Sequence, residues 1–177
     1  MIRIKALASL VDKDSRLVDI GTDHALLPIY LYENEITKKV TGSDISSNAL
    51  EFAKNNLKKH NLSDKIKLIV SDGFTNLNDE YDTAVISGMG TDTIKKILDR
   101  ENLPKKLIIS SHKNVDKLRL FMNKKGYKII DVPKLDVALG EIINNLDSDK
   151  LLIVEGHLSH LCTGADKVII LRVHPSI

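Results

Sequence analysis

At 177 residues, 42% hydrophobic and 28% charged, the chain has the size and composition of one globular domain with a substantial buried core. A net charge of +2 means that any nucleic-acid affinity must come from local clustering, and a single cysteine, Cys162, excludes an internal disulfide and suits a reducing, cytoplasmic setting. No apolar run approaches the roughly 20 residues of a membrane helix, and no Trp with only seven Phe and Tyr argues against a broad base-stacking platform.

The N-terminal stretch Met1 to Val11 reads as an amphipathic first helix. Its apolar run is too short for a signal sequence and meets Asp12-Lys13-Asp14 at once. Arg16-Leu17 then leads into Val18-Asp19-Ile20-Gly21-Thr22-Asp23-His24 and the apolar run Ala25 to Leu31. This is a short buried strand, a glycine turn and a helix, the junction at which doubly wound α/β proteins hold nucleotide-like ligands. A pyrophosphate needs G-x-G-x-x-G, so that backbone and helix N-terminus can approach the anion. Gly21 stands alone, with Asp23 two residues on and Asp19 two residues back. Two carboxylates beside the turn disfavour NAD and favour a cationic ligand. S-adenosyl-L-methionine (SAM) fits: its sulfonium and ammonium are positive, it has no phosphate, and its ribose and adenine still need the crevice.

Val40 to Ile45 reads as a second strand ending in an acid, with Ser46 or Ser47 capping a helix whose Ala49, Leu50, Ala53 and Leu57 share one face. Asp44 lies near the ~20-residue offset at which nucleotide-binding units place an acid for ribose hydroxyls. Taken alone it is equally a helix cap or a surface residue. Ile66 to Val70 is a third strand, and Asp72 in the Ser71-Asp72-Gly73-Phe74 turn can accept from an adenine amine, although Asp-Gly turns are common without any ligand.

Tyr81 to Ser87 is a fourth strand, ending in Gly88-Met89-Gly90 before a helix from about Thr91 to Asp99. The two glycines leave backbone open where a flat substrate can lie, or simply make a tight turn. Lys106 to Ser110 is a fifth strand, Asn114 to Lys125 a helix, and Tyr127 to Ile130 a sixth strand after the Gly126 cap. Residues 113 to 128 hold six basic residues, Lys117 and Arg119 among them, against Asp116 alone. That is either a solvated helix face or a guide for phosphates. Alternating strands and helices predict an α/β fold with a mainly parallel sheet and helices on both faces.

Beyond Pro133 the pattern loosens, with further strands possible at Leu151 to Val154 and Val168 to Leu171. His157, His160 and Cys162 fall together, but strand alternation separates the histidines and no second cluster completes a zinc set, so no metal site is expected.

Asp19-Ile20-Gly21-Thr22-Asp23-His24-Ala25-Leu26-Leu27-Pro28, the Ser71-Asp72-Gly73 turn and Ile86-Ser87-Gly88-Met89-Gly90 resemble, in this order, the motifs D-I-G-S-D-H-A-x-L-P, G-D-G and I-A-G-M-G-G of the bacterial tRNA (adenine-22-N1) methyltransferases, the TrmK family. The resemblance covers roughly residues 5 to 131. It implies a Rossmann-like class I methyltransferase fold, SAM as methyl donor, and methylation of adenine N1 in tRNA. It further implies cofactor contacts from Asp19, Gly21, His24, Asp44, Ile45, Asp72, Gly73 and Gly88, a catalytic role for Asp23, and substrate contacts from Met89, Gly90, His112, Lys117 and Arg119. The chain departs from the family at Thr91, where the last glycine of G-M-G-G stands, and at Ser110-Ser111-His112, where the family reads closer to Q-P-N. The expected organisation is a methyltransferase core over 1–131, followed by 132–177 as a completion of the sheet or a diverged tail without the family's helical, coiled-coil-like extension. No membrane or metal partner is expected, and a monomer is the default. A methyltransferase on another RNA or a small molecule, and a non-catalytic SAM- or RNA-binding module, remain as alternatives.

Overall fold

A computed structural model describes residues 2–111, 114–127 and 152–155. The strands are β1 (Leu17–Ile20), β2 (Val40–Asp44), β3 (Lys67–Val70), β4 (Thr83–Met89), β5 (Lys106–Ser111) and β6 (Leu152–Glu155). The helices are α1 (Ile2–Ala8), α2 (Leu26–Glu33), α3 (Ser47–Lys59), α4 (Thr91–Leu98) and α5 (Val115–Lys124). The strands form one sheet in the order β3-β2-β1-β4-β5-β6, and every pairing is parallel. The order reverses between β1 and β4, so the crevice of a doubly wound sheet opens at their carboxyl ends.

Side-chain alternation sorts the apolar residues into two layers. Leu17, Val85 and Ile108 face α1, α2 and α3, where they pack with Leu7, Leu27, Leu31, Leu50 and Leu57. Val18, Ile20, Ala84, Ile86, Leu107 and Ile109 face α4 and α5, where they pack with Ile94, Leu98, Leu118 and Met122. The inner strands β1 and β5 are buried on both faces, as the continuous hydrophobic runs of a covered parallel sheet require. Each such leucine or isoleucine contributes about 1.5–3 kcal/mol on burial.

Local chemistry sets the element ends. Ser46 caps α3 by accepting from the Ala49 backbone N–H at 3.2 Å, one of the two serines expected to do so. Pro28 is tolerated in α2 because it lies in the first turn, where its missing N–H has no partner to lose. Fourth-strand pairing continues past the expected Ser87 into Met89, with a register shift between them. A bulge at Gly88 thus lets the strand run on.

The expected sixth strand at Tyr127 to Ile130 is present only as a bridge residue at Tyr127, its remainder lying outside the described residues. The described sixth strand is Leu152–Glu155, in parallel register with Ile108 to Ser111. Its four residues all but coincide with the run beginning at Leu151. The second tail strand and the His157, His160 and Cys162 group lie outside the described residues. Among the described residues no helix is long and apolar enough to cross a membrane, and no three His, Cys, Asp or Glu gather as a metal site.

Candidate functional site

The carboxyl end of β1 passes into a turn in which Gly21, Asp23 and Ala25 all have positive φ, at +75°, +50° and +56°. Glycine adopts this conformation freely and aspartate tolerates it, but alanine does not, so the turn holds strain of the kind found at ligand sites. A Cβ at Gly21 would fall on the Met89 methyl group, which would have to move aside. Met89 therefore lies over the glycine turn, and the ends of β1 and β4 meet through it.

Asp19 is 5% exposed, and its Oδ2 accepts from Thr22 Oγ1 at 2.8 Å. Burial pushes its carboxyl up from the ordinary value near 3.8 to about 6; the Thr22 hydrogen bond and the positive charge of Arg3 oppose this, and the Asp44 carboxylate adds to it. Asp44, at the end of β2, braces the turn. Its Oδ2 accepts from the Asp23 backbone N–H at 3.2 Å and its Oδ1 from the Ser46 N–H at 2.9 Å. Each carboxylate oxygen keeps a lone pair for a ligand hydroxyl.

Ile45 beside it is 67% exposed, an apolar surface at the rim. Asp23 and His24 are exposed, with Asp23 Oδ2 at 3.6 Å from His24 Nε2. The His24 ring lies tilted against Phe52 at 5.5 Å, and Asn56 of α3 donates to the His24 carbonyl at 3.0 Å. The structure thus brings Asp19, Gly21, Asp23, His24, Asp44, Ile45 and Met89 to one corner.

Asp72 is exposed at the end of β3, in a turn fastened by Ser71, whose hydroxyl donates to the Gly73 carbonyl and accepts from the Asn76 N–H. Gly73 itself is buried against Ile97 of α4. At the end of β4, the space around Gly90 is open, and Gly88 is exposed, although a Cβ there would meet the Arg3 guanidinium.

The other expected substrate residues are on or beside α5. Lys117 is exposed in its first turn, while Arg119 is a quarter exposed and pairs with Asp116 at 3.1 Å. His112 lies outside the described residues.

Two features escaped the sequence. Arg3 arrives from α1, 84 positions before the Ser87 hydroxyl it contacts, and no local pattern marks it. The departures at Thr91 and Ser111 are paired: their hydroxyls share a hydrogen bond of 2.6 Å between the ends of α4 and β5. The two places where the sequence departs from the family pattern are therefore in contact, which no local pattern marks.

A parallel doubly wound sheet with acids, not glycines, around its nucleotide crevice defines a Rossmann-like methyltransferase fold. The chain belongs to the methyltransferase-domain family, whose profile matches residues 1–135. Among its relatives, a putative tRNA methyltransferase of Mycoplasma genitalium is 35% identical over 135 residues, covering 73% of this chain and 61% of that protein. The tRNA (adenine(22)-N(1))-methyltransferase of Bacillus subtilis is 28% identical over 134 residues, covering 73% and 56%. The chain therefore spans about 56–61% of the length of these relatives. M. capricolum TrmK, solved with S-adenosyl-homocysteine, superposes with a TM-score of 0.68 at 25% identity, over 99% of this chain and 68% of that one. A Streptococcus pneumoniae putative tRNA (m1A22) methyltransferase in complex with SAM shares the fold at a TM-score of 0.68 and 22% identity, over 99% and 72%.

Proposed function

We propose that the chain binds SAM and transfers its methyl group to N1 of an adenine in tRNA, at the position for which the Bacillus subtilis relative is named. The observation that carries this reading is the acidic crevice: a buried carboxyl at Asp19 and a half-buried one at Asp44 flank a turn with a single glycine. Phosphates are repelled there, while a cationic ligand compensates the desolvated acid, so the donor set fits SAM. Asp44 takes the ribose hydroxyls, Ile45 and the Asp72-Gly73 turn hold the adenine, and Asp19, Gly21 and His24 hold the amino-acid end.

When bound, SAM supplies an electrophilic methyl group on a cationic sulfur. Adenine N1 already presents a lone pair, so no strong base is needed at the start, and the site's work is alignment, which can supply up to ~7–11 kcal/mol of the barrier. Met89 and the open backbone at Gly90 border the target base. Asp23, exposed beside His24, stabilises the positive charge on the alkylated base or takes the N6 proton. The exposed Lys117 and the Arg119 of α5 guide phosphates, and the target adenine leaves its stack to reach the crevice. The chemistry is assigned to residues 1–131, with Leu152–Glu155 as an edge strand of the same sheet.

The test is incubation of the full chain with SAM and unmodified bulk tRNA, followed by nucleoside mass spectrometry. The expected product is 1-methyladenosine. Asp23→Asn, which tolerates the positive φ, should abolish turnover and retain most of the SAM affinity. Methyl appearing on another nucleoside would redirect the substrate assignment, and SAM binding with no product would leave a binding module. Indifference to SAM with uptake of NAD or ATP would overturn the whole reading.

A further inference from the structure

The exposed apolar surface of this protein is not scattered. Among the described residues the exposed large hydrophobic side chains are Leu26, Ile45, Phe52, Val70 and Leu120. Only Leu120 stands apart: Ile45 and Val70 are at the ends of β2 and β3, Leu26 starts α2, and Phe52 is on α3 against His24. Ile45 and Val70 flank the Asp44 and Asp72 already given to the cofactor, and Leu26 belongs to the turn motif. Phe52 belongs to no motif and has no role so far.

Phe52 is 58% exposed in the second turn of a helix that buries Leu50, Ala53 and Leu57 and otherwise shows water polar residues such as Glu51, Lys54 and Asn55. A phenyl ring on that outer face leaves most of its apolar area unburied. It is nevertheless held. Its ring centroid lies 5.5 Å from that of His24 at 50°, a tilted aromatic pair, and Asn56, one helical turn on, donates to the His24 carbonyl at 3.0 Å. The ring is thereby fixed relative to Asp23, whose Oδ2 is 3.6 Å from His24 Nε2.

A flat, exposed and pre-positioned ring beside the acid assigned to the target base suits a second flat surface, and RNA supplies one: unstacked bases are taken up on aromatic side chains. The target adenine is not that surface. Met89 and Gly90, which border it, lie at β4 and just after it, whereas α3 packs against β2 and β3. Strands β2 and β4 are two positions apart in the sheet, about 10 Å at ~4.8 Å per strand. The ring is therefore placed for a nucleotide beside the one drawn into the crevice.

We propose that Phe52, backed by His24, is the stacking platform for a nucleobase that flanks the target adenine, an inference that rests on the tRNA reading above.

The test measures the affinity of the full chain for unmodified tRNA transcript, with S-adenosylhomocysteine affinity as the control. Phe52→Ala should weaken tRNA roughly 5- to 150-fold, the range for one base stacked on one ring, and leave S-adenosylhomocysteine unchanged. Phe52→Leu, apolar but not flat, should lose similarly, whereas Phe52→Tyr and Phe52→Trp should retain binding. Transcripts made abasic on the 5′ or the 3′ side of the target adenine supply the partner. One of the two lesions should cost wild type about what Phe52→Ala costs, and Phe52→Ala should be indifferent to that same lesion. Unchanged tRNA affinity in Phe52→Ala, or losses that add for both lesions, would overturn the platform. So would a matching loss of S-adenosylhomocysteine, which would make the ring a cofactor contact, or a wild-type dimer that Phe52→Ala dissolves, which would make it a subunit contact. Wild-type protein that neither binds S-adenosylhomocysteine nor methylates tRNA would overturn the proposed function and this inference with it, whereas methylation by wild type without the Phe52 effect would overturn the platform alone.

Discussion

Replacing Asp19 by Asn should stabilise the ligand-free protein while damaging its site. The carboxyl is 5% exposed, and burial raises it from about 3.8 in the unfolded chain to about 6 in the fold. Because the folded value is the higher, the unfolded chain gives up this proton first, and stability falls as pH rises from 3.8 to 6 and stays reduced above that. At ~1.4 kcal/mol per tenfold change in ionisation, the deficit approaches about 3 kcal/mol at pH 8 and about half that at pH 5. Asparagine is close to the protonated form in shape and can still accept from Thr22. Asp19→Asn should therefore gain up to about 3 kcal/mol at pH 8, or roughly 6–12 °C in Tm for a domain of this size. The gain should shrink towards pH 5, and SAM affinity should fall at every pH. Urea denaturation of both proteins between pH 5 and 8 measures the difference directly. A variant no more stable than wild type at pH 8, or a gap that does not narrow as pH falls, would refute the idea that the site stores a desolvated acid.

Gly21→Ala places a side chain in left-handed backbone at about 1–2 kcal/mol and displaces the Met89 methyl, so a loss near 2 kcal/mol in thermal or urea unfolding should accompany weaker cofactor binding. Lys106 is fully buried, its ammonium pushed down by burial and drawn back by Asp12 at 2.8 Å. Asp12→Ala strands that charge and should cost about 2–3 kcal/mol in the same unfolding measurement, less than a fully buried pair because Asp12 is a third exposed, whereas Lys106→Met should be close to neutral. Joint removal of Lys117 and Arg119 should flatten the dependence of log K for tRNA on log salt by about one for each phosphate no longer neutralised. Lys117 should carry more of that change than the Asp116-paired Arg119, and an unchanged slope would leave α5 as a solvated surface.

The succession of strands and helices along the chain, the turn after β1, the acid at the end of β2 and the Ser46 cap were legible in the sequence because each rests on interactions within a few residues: side-chain alternation, backbone conformation at Gly21, capping at Ser46. The motif residues carried the family for the same reason, being contiguous. Local pattern also misjudged little at the ends, the chief difference being the bulge at Gly88, which depends on pairing with β5.

What no window along the chain contains is the meeting of distant segments. Arg3 reaches Ser87 across 84 positions, Thr91 meets Ser111 across 20, and Asp44 fastens the Asp23 backbone across 21. The sequence by itself determined the elements, their parallel pairing and the acids at the crevice, because hydrophobic period and turn chemistry act locally. Only the tertiary structure decided that α1 supplies a cation to that crevice and how far Asp19 is desolvated. Both depend on which helices the packed sheet faces bring over the strand ends, and that is settled by burial of the whole core.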